Sequence, residues 1–389
     1  VELDAATAKD FSTFTIARLD LKGAAVTVNG KGSVAASGAL DALAARVSLS
    51  DLAALKPLTG MDMAGRADLV IGSLTGAPGE SMASDVTLTI SDLATGVSDL
   101  DRLLGRQASI RGRLELQGTE SVSLQSLNLT SAGLTVKGSA GYGITGGELT
   151  AKLDGNIARS ALPDIPDLQF NGDPAFNVTL TGPATAPGGA ITVTLDGLTA
   201  AGYRLTAIDL RAKPGWTEGD STTDLTLRAK LNGQALALSS RIRTRTDRLD
   251  IAAIKGSLGD LALSGELTLP DYGPLLQGRV GIDPGKGNTV AALAGTPVSL
   301  DGGKIDVTFT PGGKRQSITA SSRLNGVTVR DDANAVIAAI RETRLDAEIS
   351  DVFGDLRFTA SAGAEQLAAA GNRIDSLKAK VSGTLTGID

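Results

Sequence analysis

The sequence predicts an all-β chain: an elongated, curled, mostly antiparallel sheet forming a taco-like hydrophobic groove, with a few short helical inserts. Three observations carry that prediction. Apolar residues alternate with polar ones at period two along the whole length, and helical spacing is rare. Gly, Asn-Gly and Asp-Gly interrupt the alternation at short intervals. The apolar material is aliphatic: hydrophobic residues make up 42% of the 389 positions but aromatics only 3%. A single large core anchored by aromatic side chains is therefore disfavoured.

The alternation is clearest at Val86-Thr-Leu88-Thr-Ile90, Phe176-Asn-Val178-Thr-Leu180, Ile191-Thr-Val193-Thr-Leu195 and Ile305-Asp-Val307-Thr-Phe309. Leu225-Thr-Leu227, Leu261-Ala-Leu263 and Leu356-Arg-Phe358 follow the same rule. Successive strand side chains point to opposite faces, so each segment has one apolar and one wet face. Asn29-Gly30, Asp196-Gly197, Asn232-Gly233 and Asn325-Gly326 predict turns between strands. The pattern implies on the order of 25 strands of about four to six residues. At about 4.8 Å per strand they would make roughly 120 Å of sheet, which must curl.

Short inserts break the pattern. "SDLAALKPL" predicts a helix N-capped by Ser50, and a second runs from Ser98 to a stop at Gly105. The longest predicted helix covers Asp331 to Arg341, with two Asp at its start and Arg at its end. Pro163, Pro166, Pro174, Pro270 and Pro274 mark loops. No insert is long enough for a domain linker, so residues 1–389 read as one continuous repetitive segment. It begins at Val1 without Met and ends mid-pattern, and is expected to be an internal piece of a longer protein.

One template recurs: two apolar residues three apart, then two more at alternate positions, then Gly. It fits Ile16, Leu19, Val26, Val28, Gly30. It fits Leu124, Leu127, Leu134, Val136, Gly138, and again Ile251, Ile254, Leu261, Leu263, Gly265, with identical spacing. Half-copies lie at Leu205 with Ile208 and at Ile374 with Leu377. A Gly-containing turn (Gly23, Gly133 or Gly259) divides each full copy, so the unit reads as a hairpin.

Composition removes several chemistries. Cys and His are both absent, which excludes disulfides, thiolate nucleophiles, imidazole bases and the usual zinc ligands. The formal charge of −6 argues against nucleic-acid binding, and no run approaches the roughly 18 apolar residues of a membrane helix. Phosphate-loop, nucleophile-elbow and dinucleotide motifs are missing, and no catalytic residue, metal site or cofactor is assigned. Asp283-Pro284-Gly285-Lys286-Gly287-Asn288 reads as a turn, Asp331-Asp332 as a helix cap and Trp216 as a loop residue packing locally. Arg241, Arg243 and Arg245 share one strand face. They read as a solvated outer surface, or more sharply as candidate head-group contacts, because a guanidinium fits phosphate.

The apolar faces have two ways to end. They close on one another as a dry β-helix or sandwich, with a structural or adhesive role like an autotransporter passenger, or they stay apart as a trough. Branched aliphatics with many Ala and no Asn ladder favour the trough. Such a surface left in water would exceed the few hundred Å² of contiguous apolar area that soluble monomers tolerate. Acyl chains would remove that cost at about 0.8 kcal/mol per CH₂. The candidate lining is the alternating and repeat residues above, with Leu129 among them.

The segments "SLQSLNLTSAGLTVKGSAGYG", "LDIAAIKGSLGDLALSGELTL" and "LAGTPVSLDGGKIDVTF" resemble the central β-repeat region of the TamB (translocation and assembly module) family of AsmA-like proteins, relatives of the bridge-like lipid transfer proteins. "LSDLAALKPLTGMDMAGRADL" and "LDRLLGRQASIRGRLELQG" are similar in style. The resemblance spans essentially the whole chain and rests on patterning. It implies a periplasmic β groove in a Gram-negative bacterium, holding phospholipid or other acyl chains between inner and outer membranes or aiding outer-membrane protein assembly. It further implies an inner-membrane anchor in a segment outside this chain and an outer-membrane barrel partner (TamA-like).

Overall fold

A chain that alternates apolar and polar residues satisfies its backbone N–H and C=O groups by pairing strand with strand. The computed structural model describes residues 1–389 except 78, 201, 218, 219, 295, 296, 332, 334, 353–355, 370, 385, 386 and 389. It is all-β and divides into two units, Val1–Gly202 and Tyr203–Asp389.

The first unit opens with β1 (Glu2–Thr7), β2 (Thr13–Lys22), β3 (Val26–Ala35) and β4 (Leu40–Leu49). A 3₁₀ turn at Leu52–Leu55 and α1 (Lys56–Thr59) lead to β5 (Ala64–Gly76) and β6 (Ser81–Ala94). After α2 (Ser98–Leu104) come β7 (Gln107–Gln117), β8 (Ser121–Ser131), β9 (Leu134–Gly143) and β10 (Glu148–Ile157). A second 3₁₀ turn, Arg159–Ala161, precedes β11 (Leu168–Asn171), β12 (Ala175–Pro183) and β13 (Gly188–Ala200). Neighbours pair antiparallel in sequence order, except that β10 pairs β12 while β11 pairs β13. Among the described residues β1 pairs only β2, so this sheet is open, not a barrel.

The second unit starts with β14 (Tyr203–Thr217), β15 (Asp220–Leu231), β16 (Gln234–Thr244), β17 (Arg248–Leu258), β18 (Leu261–Pro270) and β19 (Gln277–Asp283). α3 (Asn288–Ala294) and the two-residue β20 (Val298–Ser299) interrupt it. It resumes with β21 (Gly302–Gly312), β22 (Arg315–Arg330), β23 (Val336–Ser350), β24 (Arg357–Ala369), β25 (Asn372–Thr384) and β26 (Gly387–Ile388). This unit is again an antiparallel meander, with β19 pairing β21 and β20 pairing β22.

Several expectations need correction. The strands are longer than four to six residues, reaching 16 in β22. Asn29-Gly30, Asp196-Gly197 and Asn325-Gly326 lie inside β3, β13 and β22, because a continuous ladder tolerates an internal Gly. Asn232-Gly233 does form the two-residue hairpin, both residues at positive φ (48° and 87°) as a type I′ turn requires. Trp216 sits in β14 opposite Ser221, not in a loop. Among the described residues the predicted helix at Asp331–Arg341 is absent: from Val336 the chain is strand, Val336 pairing with β22 and Ile340 lying between β22 and β24. Asp331 instead caps a turn, accepting from the Ala335 amide at 2.8 Å, and Asp332 lies outside the described residues. α2 forms as expected and stops at Gly105. The first insert is capped by Asp51, which accepts from the Ala53 amide, one residue after Ser50.

Because strand directions alternate, connections fall on two opposite rims of each sheet. In the first unit the turn at 23–25, both 3₁₀ turns, α1, α2 and the turn at 132–133 lie on one rim. Backbone bonds link them in series: Ser50 N–H to Ala25 O at 3.0 Å, Gly133 N–H to Leu103 O at 3.0 Å, Ala158 N–H to Gly133 O at 2.9 Å. The other rim carries turns at 8–12, 36–39, 118–120, 144–147 and 184–187. In the second unit α3 sits on the rim of the 232–233 and 259–260 turns, opposite the turns at 245–247, 271–276 and 313–314.

Hydrophobic burial is sparse and one-sided, although the polar Ser84 and Gln316 are buried near the opposite rims. The buried hydrophobics of the first unit are Leu52, Ala67, Leu93, Ala108, Val136 and Ala161, all at its insert rim. Those of the second, Ala229, Ile254, Leu258 and Leu300, occupy the half of the sheet nearest α3. The chain exposes 22715 Å². Two separate compact bodies of half its mass would together expose roughly 17,000 Å². Among the described residues the sheets lack a second layer that would bury them.

Candidate functional site

The repeated template has a structural meaning. In a regular strand, residues three apart point to opposite faces. In each full copy an extra residue is inserted between them: register shifts occur between Ile16 and Leu19, Leu124 and Leu127, and Ile251 and Ile254. The half-copy in β14 shifts likewise between Thr206 and Asp209. These are β-bulges, and Ser126, Ala207 and Ala253 within them hold positive φ of 50°, 52° and 51°. Each bulge returns the second apolar residue to the face of the first. The half-copy in β25 has no shift.

The Gly of each copy is the cross-strand partner of that second residue: Leu19 faces Gly30, Leu127 faces Gly138, and Ile254 faces Gly265. A Cβ at Gly138 would run into the Lys152 carbonyl oxygen, and one at Gly265 into that of Arg279. At these two positions the strands approach too closely for any side chain but hydrogen, whereas a Cβ at Gly30 would meet only ordinary contacts.

Following register from strand to strand shows where the apolar residues go. Ile16 and Leu19 lead through Val26 and Val28 of β3 to Val47 of β4, then through Leu69 to Val86, Leu88 and Ile90 of β6. Ile110 of β7 passes this face to Leu124, Leu127 and Leu129 of β8, and these to Leu134 and Val136 of β9. Leu153 of β10 continues it to Phe176, Val178 and Leu180 of β12, which oppose Val193 and Ile191 of β13, with Leu195 in step. All lie on one face of the first unit. In the second unit Leu225 and Leu227, Ile251 and Ile254, Leu261 and Leu263, then Ile305, Val307 and Phe309 share a face, joined through Ile318 and Ile349 to Phe358. Leu356 precedes β24 and is outside the ladder. Trp216 shares the face of Leu210, 45% exposed.

Residues that sequence reading passed over, among them Val47, Leu69, Ile110, Ile318 and Ile349, belong to the same faces. Ala42, at positive φ in β4, hides the alternation there, and Arg-rich flanks hide it in β7 and β23.

The reverse face is a ladder of cross-strand ion pairs. Arg46 meets Asp68 at 3.1 Å, Arg66 meets Asp92 at 2.6 Å, Arg241 meets Asp224 at 2.7 Å and Arg323 meets Glu342 at 3.0 Å. The Ser48 hydroxyl, then Arg46, hold the Asp68 carboxyl below its ordinary range, and Arg241 does the same for Asp224. Arg241, Arg243 and Arg245 lie on this polar side. Arg245 is drawn to Asp250 at 3.1 Å, and Arg243 has no ion pair among the described residues.

The Asp283–Asn288 turn points its amides at a carboxylate of the chain itself. Asp260 accepts from Lys286, Asn288 and Thr289 N–H at 3.0, 3.1 and 2.9 Å. With Thr289 as the largest cause, these bonds hold its pKa below the ordinary value. The turn thereby fastens α3 to the β17–β18 hairpin. Among the described residues no helix is long and apolar enough to cross a membrane. No protein family profile, curated protein or solved structure matches this chain.

Proposed function

We propose that this chain is a non-enzymatic lipid conduit. The apolar face of its sheets curls into a groove that holds acyl chains while head groups stay in water. One observation carries the reading: the aliphatic side chains of successive strands follow one another along one face of each unit, and the buried hydrophobic residues of that face gather at the rim of the short inserts. Contiguous apolar surface of that extent is costly in water and calls for an apolar occupant. Aliphatic walls offer a tail nearly the free energy it has in a bilayer, so lipid can pass along without being trapped. The resemblance to TamB-like proteins supports a periplasmic setting between inner and outer membranes, with phospholipid as cargo or outer-membrane protein assembly as the task, and a TamA-like barrel as partner. The rival reading, a closed adhesive β-solenoid, finds less support: among the described residues the strands pair antiparallel, whereas a β-helix stacks its coils in parallel.

The test is transfer of fluorescent phospholipid between two vesicle populations by the purified chain. Catalysed transfer is expected, and its loss in Leu134→Asp and Leu263→Asp but not in the Ala variants, because a charge in an apolar channel is costly. Transfer no faster than with an inert protein would sink the proposal.

A further inference from the structure

The two rims of each sheet differ, and the difference gives a bound lipid a direction. Among the described residues, every buried hydrophobic residue of the first unit is at the rim of the helical inserts, where Leu52 packs on Ala67 and Leu93 with Leu88, Ile90 and Leu104 around them. In the second unit the buried hydrophobic residues again lie in the half nearest α3. Among the described residues the opposite rims bury polar Ser84 and Gln316 but no hydrophobic side chain, and most exposed aromatic side chains collect there. Phe11, Phe14 and Tyr142 stand at the turn rim of the first unit, Trp216 and Tyr272 at that of the second. Tyr203 is the exception, at the other end of β14.

The buried hydrophobic side chains lie at the insert rim, so the methyl ends of the tails belong there. A phosphodiester head must remain hydrated, and Tyr and Trp favour places that are apolar on one side and wet on the other. Length allows the distinction. A tail in one leaflet covers about 15 Å, half the roughly 30 Å hydrocarbon core. At about 3.3 Å per residue that is four or five strand residues, whereas β14 has 15.

We propose that a diacyl phospholipid in each unit lies with its tails toward the insert rim and its head group at the turn rim, Trp216 marking the head-group end in the second unit. This rests on the conduit reading. Trp216 is the sole Trp of the chain and so a site-specific reporter. The full chain is loaded with phosphatidylcholine brominated either near the acyl carbonyl or near the methyl end, and Trp fluorescence is read. Trp216 should lose more signal to the carbonyl-proximal bromines. In the double variant Trp216→Phe, Tyr203→Trp, which moves the reporter to the far end of the same strand at another exposed aromatic site, the order should reverse. The same order at both positions, or the opposite order at each, overturns the orientation and leaves the conduit standing. No quenching at either position by either lipid overturns the conduit reading and the orientation with it.

Discussion

Single residues set the strand geometry in this molecule. Ala253 holds φ of 51° inside the β17 bulge, a conformation that costs a non-Gly residue roughly 1–2 kcal/mol. Ala253→Gly relieves it at the expense of unfolded-chain entropy and should stabilise by about 0.5 kcal/mol. Ala253→Val should destabilise by roughly 1–2 kcal/mol, since a β-branched side chain fits that φ poorly. Gly265→Ala, which drives a methyl into the Arg279 carbonyl, should also destabilise, by roughly 1–3 kcal/mol. Urea midpoints of the three variants check the signs. Asp260 provides the residue-scale pH effect. Its folded pKa lies below the unfolded one, so its contribution is present above the ordinary carboxylate range and is lost as pH falls through the lowered folded value. Amides 286–289 should lose hydrogen-exchange protection on acidification. Asp260→Asn should abolish that pH dependence and weaken the wild-type fold at neutral pH by roughly 1–2 kcal/mol.

At the scale of elements, the division of labour is between long strands and short inserts. The inserts are too short to be stable helices alone and exist because they pack on the sheet. Leu52→Ala should cost about 2–3 kcal/mol locally, seen as faster amide exchange over 52–59 with the protection of β14–β18 unchanged. Equal loss of protection in both units would show that the insert supports more than its own rim. This is also the scale at which the sequence was most and least legible. Period-two alternation identified the strands, and α2 was visible from its Ser98 start and Gly105 stop. The Asp331–Arg341 segment misled because Val336, Ile337 and Ile340 stand at helical spacing over so short a run, whereas pairing with β22, and with β24 from Ala338 onward, makes it strand. The three-residue spacing of Ile251 and Ile254 was visible as a repeat. Its cause, an inserted residue at positive φ, is a backbone property that no side chain at Ala253 announces. Asn325-Gly326 is the converse: strong turn chemistry overridden by a ladder on both sides.

For the whole molecule, the central statement is that the aliphatic face of each unit lacks enough protein to cover it. The apolar character of that face was readable from alternation alone. That burial would concentrate at the insert rims was not, because it depends on which connections share a rim. Acyl chains are the occupant the account requires, and the most direct measurement is native mass spectrometry of the chain purified from bacterial membranes with mild detergent, followed by lipid extraction. The account predicts several phospholipids per chain, displaced when Leu134 and Leu263 are both replaced by Asp. A chain that is lipid-free under those conditions, and stays so when offered phospholipid, would contradict it.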